Sequence, residues 1–130
     1  MKKEWLRAFD WNVIVATNRQ LCSLGGAHHG PTSDGYEATR ALWESTHCQA
    51  LTLAEATDLC RRCHRLAPFC NFNGNTFVAI IRKAIGSIPL PADKVAVLRS
   101  LAGHIVAGIA TAEEQQAFSE ILTKLTADEN

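Results

Sequence analysis

Apolar residues return every three to four positions along most of this chain, the period of a helix that buries one face. Over residues 3–22 the repeat runs through Leu6, Phe9, Val13 and Ala16, and the stretch from Trp11 to Ala16 is apolar almost all round. That predicts a first helix with a central place in the fold. Gly25-Gly26 ends it, and a loop follows to Gly35. Asp34 with Glu37 has the spacing of a reciprocal cap and predicts a second helix over 35–48. Thr52 with Glu55 repeats the device and opens a third over 53–66, ended near Pro68.

The segment Cys70-Asn71-Phe72-Asn73-Gly74-Asn75 reads as a turn, with Asn75 capping a fourth helix over 76–85 that Gly86 stops. Its three asparagines could bind a ligand, but a capped turn explains them more simply. Pro89-Leu90-Pro91 is a rigid connector, with Pro91 suited to the entry of a fifth helix. That helix carries Val95, Leu98, Leu101, Ala102, Ile105, Val106 and Ile109 on one broad face. Thr111 with Glu114 opens the last helix, striped by Phe118, Ile121, Leu122 and Leu125, and residues 126–130 should fray.

Strand-like alternation is nearly absent. The expected fold is an all-α, single-domain bundle of five to six helices spanning 1–130, with a Cys/His loop cluster at one end. At 130 residues and 47% apolar content the chain can build a core without a metal or disulfide. Lys2 and Lys3 are followed by Glu4, Arg7 and Asp10 rather than an apolar run, and Arg99 and His104 interrupt the longest uncharged stretch. Neither a secretory leader nor a spanning helix is expected, which points to the cytoplasm and reduced thiols. Five cysteines, an odd number, also fit a disulfide framework poorly.

The most distinctive motif is Cys60-Arg61-Arg62-Cys63-His64, with Cys70 beyond it. On a helix, Cys60, Cys63 and His64 share a face. The short Gln49–Leu51 connection makes the second and third helices antiparallel, so the loop holding His28 and His29 should lie near Cys63. A turn at Pro68 brings Cys70 back as well. Cys60, Cys63, Cys70 and His29 then form a candidate tetrahedral zinc site, with His28, His64 and Cys22 as alternative ligands. His47 and Cys48 lie at the far end of the same helices, roughly 15 Å away at about 1.5 Å per residue, and read as a separate structural pair. His104, inside an apolar helix, reads as a core histidine.

The same motif admits other chemistry. Cys60 and Cys63 could cycle as a redox pair, the thiolate favoured by Arg61, Arg62 and Arg65 but opposed by the helix C-terminal dipole. Covalent haem attachment or an iron–sulfur cluster would use the same thiols. No paired carboxylates, Ser-His-Asp order or phosphate-cradling glycine loop accompanies them, so catalysis is not expected and no small-molecule substrate is indicated.

Net charge is zero, yet residues 59–92 contain five cations and no acid. Arg61 and Arg65 stand one turn apart on one helix side, and with Arg62 they form a candidate grip for a protein partner with an acidic surface. Nucleic acid is the other class such a patch serves, though neutral overall charge argues against it. The leading expectation is thus a small cytoplasmic protein-binding or regulatory module with a structural zinc. A thiol-dependent enzyme and a nucleic-acid-binding regulator are the alternatives.

Overall fold

A computed structural model describes residues 2–128. They form six helices: α1 (Trp11–Leu24), α2 (Tyr36–Thr46), α3 (Leu53–Leu66), α4 (Asn73–Gly86), α5 (Ala92–Ala107) and α6 (Ala112–Asp128). Local capping sets several ends. The Asp10 carboxylate accepts the Val13 N–H and opens α1. Thr52 and Glu55 make the expected reciprocal pair at the start of α3, at 2.9 and 3.0 Å. Thr111 and Glu114 do the same before α6, both at 3.1 Å. Gly108 closes α5 in the left-handed region at φ +79°, where a side chain would be strained.

The centre is built from α3, α4 and α5. α4 packs on both neighbours and buries Phe77, Ile80, Ile81 and Ile85 completely. α1 lies on α4, α2 on α3, and α6 on α5 and the edge of α3. Trp43 of α2 is fully buried against Phe77 and ties its indole N–H to the Phe9 carbonyl at 2.7 Å. The all-helical bundle expected from the periodicity is what the chain forms. No strand occurs among the described residues, and no helix is long and apolar enough to cross a membrane.

Several boundaries move. The first helix starts at Trp11 rather than near residue 3, because Asp10 caps it there. Lys3 instead pairs with Leu51, backbone to backbone, at 2.8 Å in both directions. Leu6 still reaches the core, since a turn can bury one residue as a helix does. Asp34 does not cap α2; Gly35 holds that place with no side-chain bond. α4 begins at Asn73, not 76, because Phe72 takes the left-handed conformation (φ +58°) and turns the chain directly into the helix. Gly86 belongs to α4, and Ser87 follows as its cap. Helix continues through 126–128, where fraying was expected; residues 129 and 130 lie outside the described residues.

The connection at 49–51 does bring the loop before α2 beside the end of α3, as its length implied. The loop and the turn after α3 pair as extended backbone. The Thr32 N–H donates to the Pro68 carbonyl and the Cys70 N–H to the Gly30 carbonyl, both at 2.9 Å, around a Pro31–Phe69 bridge.

Candidate functional site

The loop–turn junction is where the zinc set was expected, and its polar side chains are already committed to one another. Asn18, fully buried on α1, is the hub. Its Nδ2 donates to the Asn71 carbonyl at 2.8 Å and to Thr76 Oγ at 3.0 Å. Its Oδ1 accepts from His29 Nδ1 at 2.8 Å and, at 3.5 Å, from the Cys22 thiol. Asn71 Nδ2 in turn donates to the His28 carbonyl at 2.9 Å. His29 also leans on Phe69, at 5.9 Å between ring centres. Burial first, then the charges of Arg19 and His28, hold its imidazole below the ordinary histidine range.

The proposed ligands are not gathered there. Cys60 and Cys63 are fully buried in the central core. Cys70 is exposed, its thiol directed at the Pro31 carbonyl at 3.8 Å. His28 is exposed and folds back over Gly30, so close that a Cβ there would stand 2.8 Å from its Nε2. His64 turns the other way, donating Nδ1–H to the Val106 carbonyl of α5 at 2.8 Å. Among the described residues no three His, Cys, Asp or Glu side chains converge as a metal-binding group. The structure thus does not gather Cys60, Cys63, Cys70 and His29 into one ligand set, nor do His28, His64 and Cys22 complete one among the described residues. The pinning of loop to turn that zinc would supply comes from backbone pairing and Asn18.

Burial also disfavours the thiolate at both Cys60 and Cys63. Burial pushes the Cys63 thiol up to about 12, and pushes Cys60 well above its ordinary value, with Cys63 adding to the effect. Arg62 opposes the shift at Cys63 but does not overcome burial. The face that looked like a ligand face from spacing is a core stripe, where free cysteine packs as a small hydrophobe. His47 and Cys48 do pair, His47 Nε2 lying 3.3 Å from Cys48 Sγ while His47 stacks on Trp43.

The arginines fall differently. Arg61 and Arg65 line one groove, of about 570 Å³, between α3 and the start of α6, with Ile105 and Phe118 in its floor. Arg61 holds Asp58 at 2.8 Å across one helical turn. Arg62, exposed and about 100° further round α3, does not line it. A second groove of about 610 Å³ continues along the same two helices toward the start of α3, lined by Trp5, Leu53, Leu90, Leu122 and Leu125. Ala54 lines both, and on α6 the lining positions run on from Gln115 and Ser119 to Thr123 and Thr126. The two grooves thus follow one seam, richer in apolar side chains toward the start of α3 and bearing cations at both ends, Lys3 and Lys94 at one and Arg61 and Arg65 at the other. The residues of the apolar end were missed in the sequence because Leu122 and Leu125 read as core stripe, and their half-exposure depends on how far α6 stands off α3.

At that apolar end, Trp5 Nε1 is a buried side-chain donor with no acceptor among the described residues. Lys3 sits over the Trp5 ring, 5.4 Å from its centre. Compared with known proteins, the chain matches no protein-family model, no curated protein and no solved structure.

Proposed function

We propose that this protein is a binding module that takes an amphipathic helical segment of a protein partner into the α3–α6 groove, with acidic residues of that segment over Arg61 and Arg65. The observation that carries the reading is the excess of cations along a seam that also offers apolar side chains. Lys3, Lys94, Arg61 and Arg65 line it, and among the described residues Asp58 is its one acidic lining residue. From Leu53 to Arg65 the wall on α3 extends about 18 Å at about 1.5 Å per residue, enough for three turns of a guest helix. Leu53, Leu122 and Leu125 offer apolar contacts for anchors spaced three and four apart. The exposed Arg61–Asp58 pair holds at most about 1 kcal/mol, so a partner carboxylate exchanges for Asp58 at little cost.

Selection of helical peptides from a display library against the whole chain tests this. Enriched peptides should carry large apolar residues at i, i+3 or i+4 and i+7 and Asp or Glu at one end. Their amide-shift changes should map to the facing stripes of α3 and α6. Charge reversal of both arginines (Arg61→Glu with Arg65→Glu) should weaken binding about tenfold or more while helicity is kept. Peptides that map to another face would overturn the reading. Duplex DNA bound with a steep salt dependence would replace it with nucleic-acid recognition.

A further inference from the structure

A third pocket shares no lining residue with the α3–α6 groove. It is an open cavity of about 670 Å³ at the start of α4, lined by His64, Gly74, Arg82, Gly103 and His104 among others. Two glycines shape it. A Cβ on Gly103 would stand 2.7 Å from Arg82 Nη2 and 2.8 Å from its Nε, so the guanidinium rests on bare α5 backbone. A Cβ on Gly74 would stand 3.1 Å from His64 Nε2. Both basic side chains are therefore seated by the absence of a side chain opposite them.

The polar groups here keep donors and acceptors free on the pocket side. The one hydrogen bond Arg82 makes among the described residues is a long one, Nε–H to the Arg99 carbonyl at 3.4 Å. His104 donates Nδ1–H to the Glu114 carboxylate, and as the imidazolium it also offers an Nε2–H to a ligand. Glu114 is thus occupied by His104 and by the N–H of Thr111. His64 spends its Nδ1–H on Val106, so neutral His64 presents an Nε2 lone pair as an acceptor. The first turn of α4 has no acidic residue and no side-chain cap. Asn73, the first residue of α4, binds Phe69 with both ends of its amide, at 2.9 and 2.8 Å. Asn73, Gly74 and Asn75 of that turn line the same cavity.

We propose that this pocket binds a small hydroxyl-bearing phosphomonoester, with the phosphate held by Arg82 and by the imidazolium form of His104, and a hydroxyl of the ester donating to the Nε2 of neutral His64. Arg82 can supply a two-pronged grip to phosphate oxygens, and its side chain leans toward the start of α4, as helical side chains do. The site is separate from the α3–α6 groove, and neither reading depends on the other.

Titration of the whole chain with glycerol 3-phosphate, followed by amide shifts at Gly74, Asn75 and Gly103, tests the proposal. Saturable binding in the millimolar range or tighter is expected, with glycerol alone inert. Arg82→Gln should weaken it about tenfold, the scale of one charge-assisted contact. Gly103→Ala should weaken it comparably while keeping every charge, because the new methyl occupies the seat of the guanidinium. His64→Gln should weaken glycerol 3-phosphate but leave inorganic phosphate unchanged. Absence of saturable binding would overturn the site, as would unaltered affinity in Arg82→Gln with its helical content and melting intact. Equal loss of both probes in His64→Gln would overturn the hydroxyl contact.

Discussion

Asn18 and His29 are joined across the loop after α1, the imidazole Nδ1–H on the amide oxygen at 2.8 Å. The same amide reaches across to Asn71 and Thr76 through its nitrogen. One buried side chain thereby couples α1, the loop before α2, the turn after α3 and the start of α4. Replacing it by Leu would leave the Asn71 carbonyl and the Thr76 hydroxyl without this partner. Asn18→Leu should lower unfolding free energy by about 2–4 kcal/mol, measured by denaturant titration, since each orphaned buried group costs about 1–3 kcal/mol. Amide exchange at Thr32 and Cys70 should accelerate in the same variant.

Acid should loosen this junction before it unfolds the core. The His29 imidazole is held low in the folded chain by burial and by Arg19 and His28. The unfolded chain therefore takes up that proton first as pH falls below the ordinary value of 6.5. The stability contributed by neutral His29 is present above that value and is lost as pH falls through the folded one. Denaturation curves between pH 7 and 5 should show this decline, and His29→Gln should flatten it. An unchanged pH slope in that variant would remove His29 from the account.

Thiol labelling should divide the five cysteines by burial. Cys48 and Cys70 are exposed, whereas Cys22, Cys60 and Cys63 are buried. Two thiols should react promptly in the native protein and three only on unfolding, and treatment with a chelator should alter neither count nor melting temperature. Alkali gives a second handle. In the folded chain Cys63 stays protonated up to about 12, against 9.0 for an ordinary thiol. Between those values the unfolded chain has lost the proton and the folded chain has not. Stability should therefore fall with rising pH by up to about 1.4 kcal/mol per pH unit for this thiol, and Cys63→Ala should remove that part of the slope.

Gly35 marks the closest approach of the two halves of the junction. A Cβ there would stand 2.1 Å from the Leu66 carbonyl oxygen and 2.5 Å from that of Ala67, both backbone atoms that cannot swing aside. Its φ of −100° suits any residue, so space alone demands glycine. Gly35→Ala should cost about 3 kcal/mol or more, read as a lower melting temperature. Gly86, with nothing within 4 Å of such a Cβ, is the control, and Gly86→Ala should be neutral or slightly stabilising.

Periodicity and capping chemistry determined most of the architecture from the sequence alone. Six helices, the Thr52–Glu55 and Thr111–Glu114 caps and the antiparallel approach of the 25–35 loop to the end of α3 all follow from interactions within about four residues or from one short connection. These are local, so a linear pattern carries them. The start of α1 was less legible, because a turn through Leu6 and Phe9 has the same spacing as a helix.

The site was decided by tertiary packing. Spacing placed Cys60 and Cys63 on one face of α3, but only the arrival of the neighbouring helices made that face a core and held its thiols protonated. His104 looked like a core residue until α6 brought Glu114 to its ring. Arg61 and Arg65 were identifiable as a patch, yet the groove they border exists only because α6 stands against α3. A helix face records which residues travel together; what they meet depends on other helices distant in sequence, and that is where burial, charge and hydrogen bonding are set.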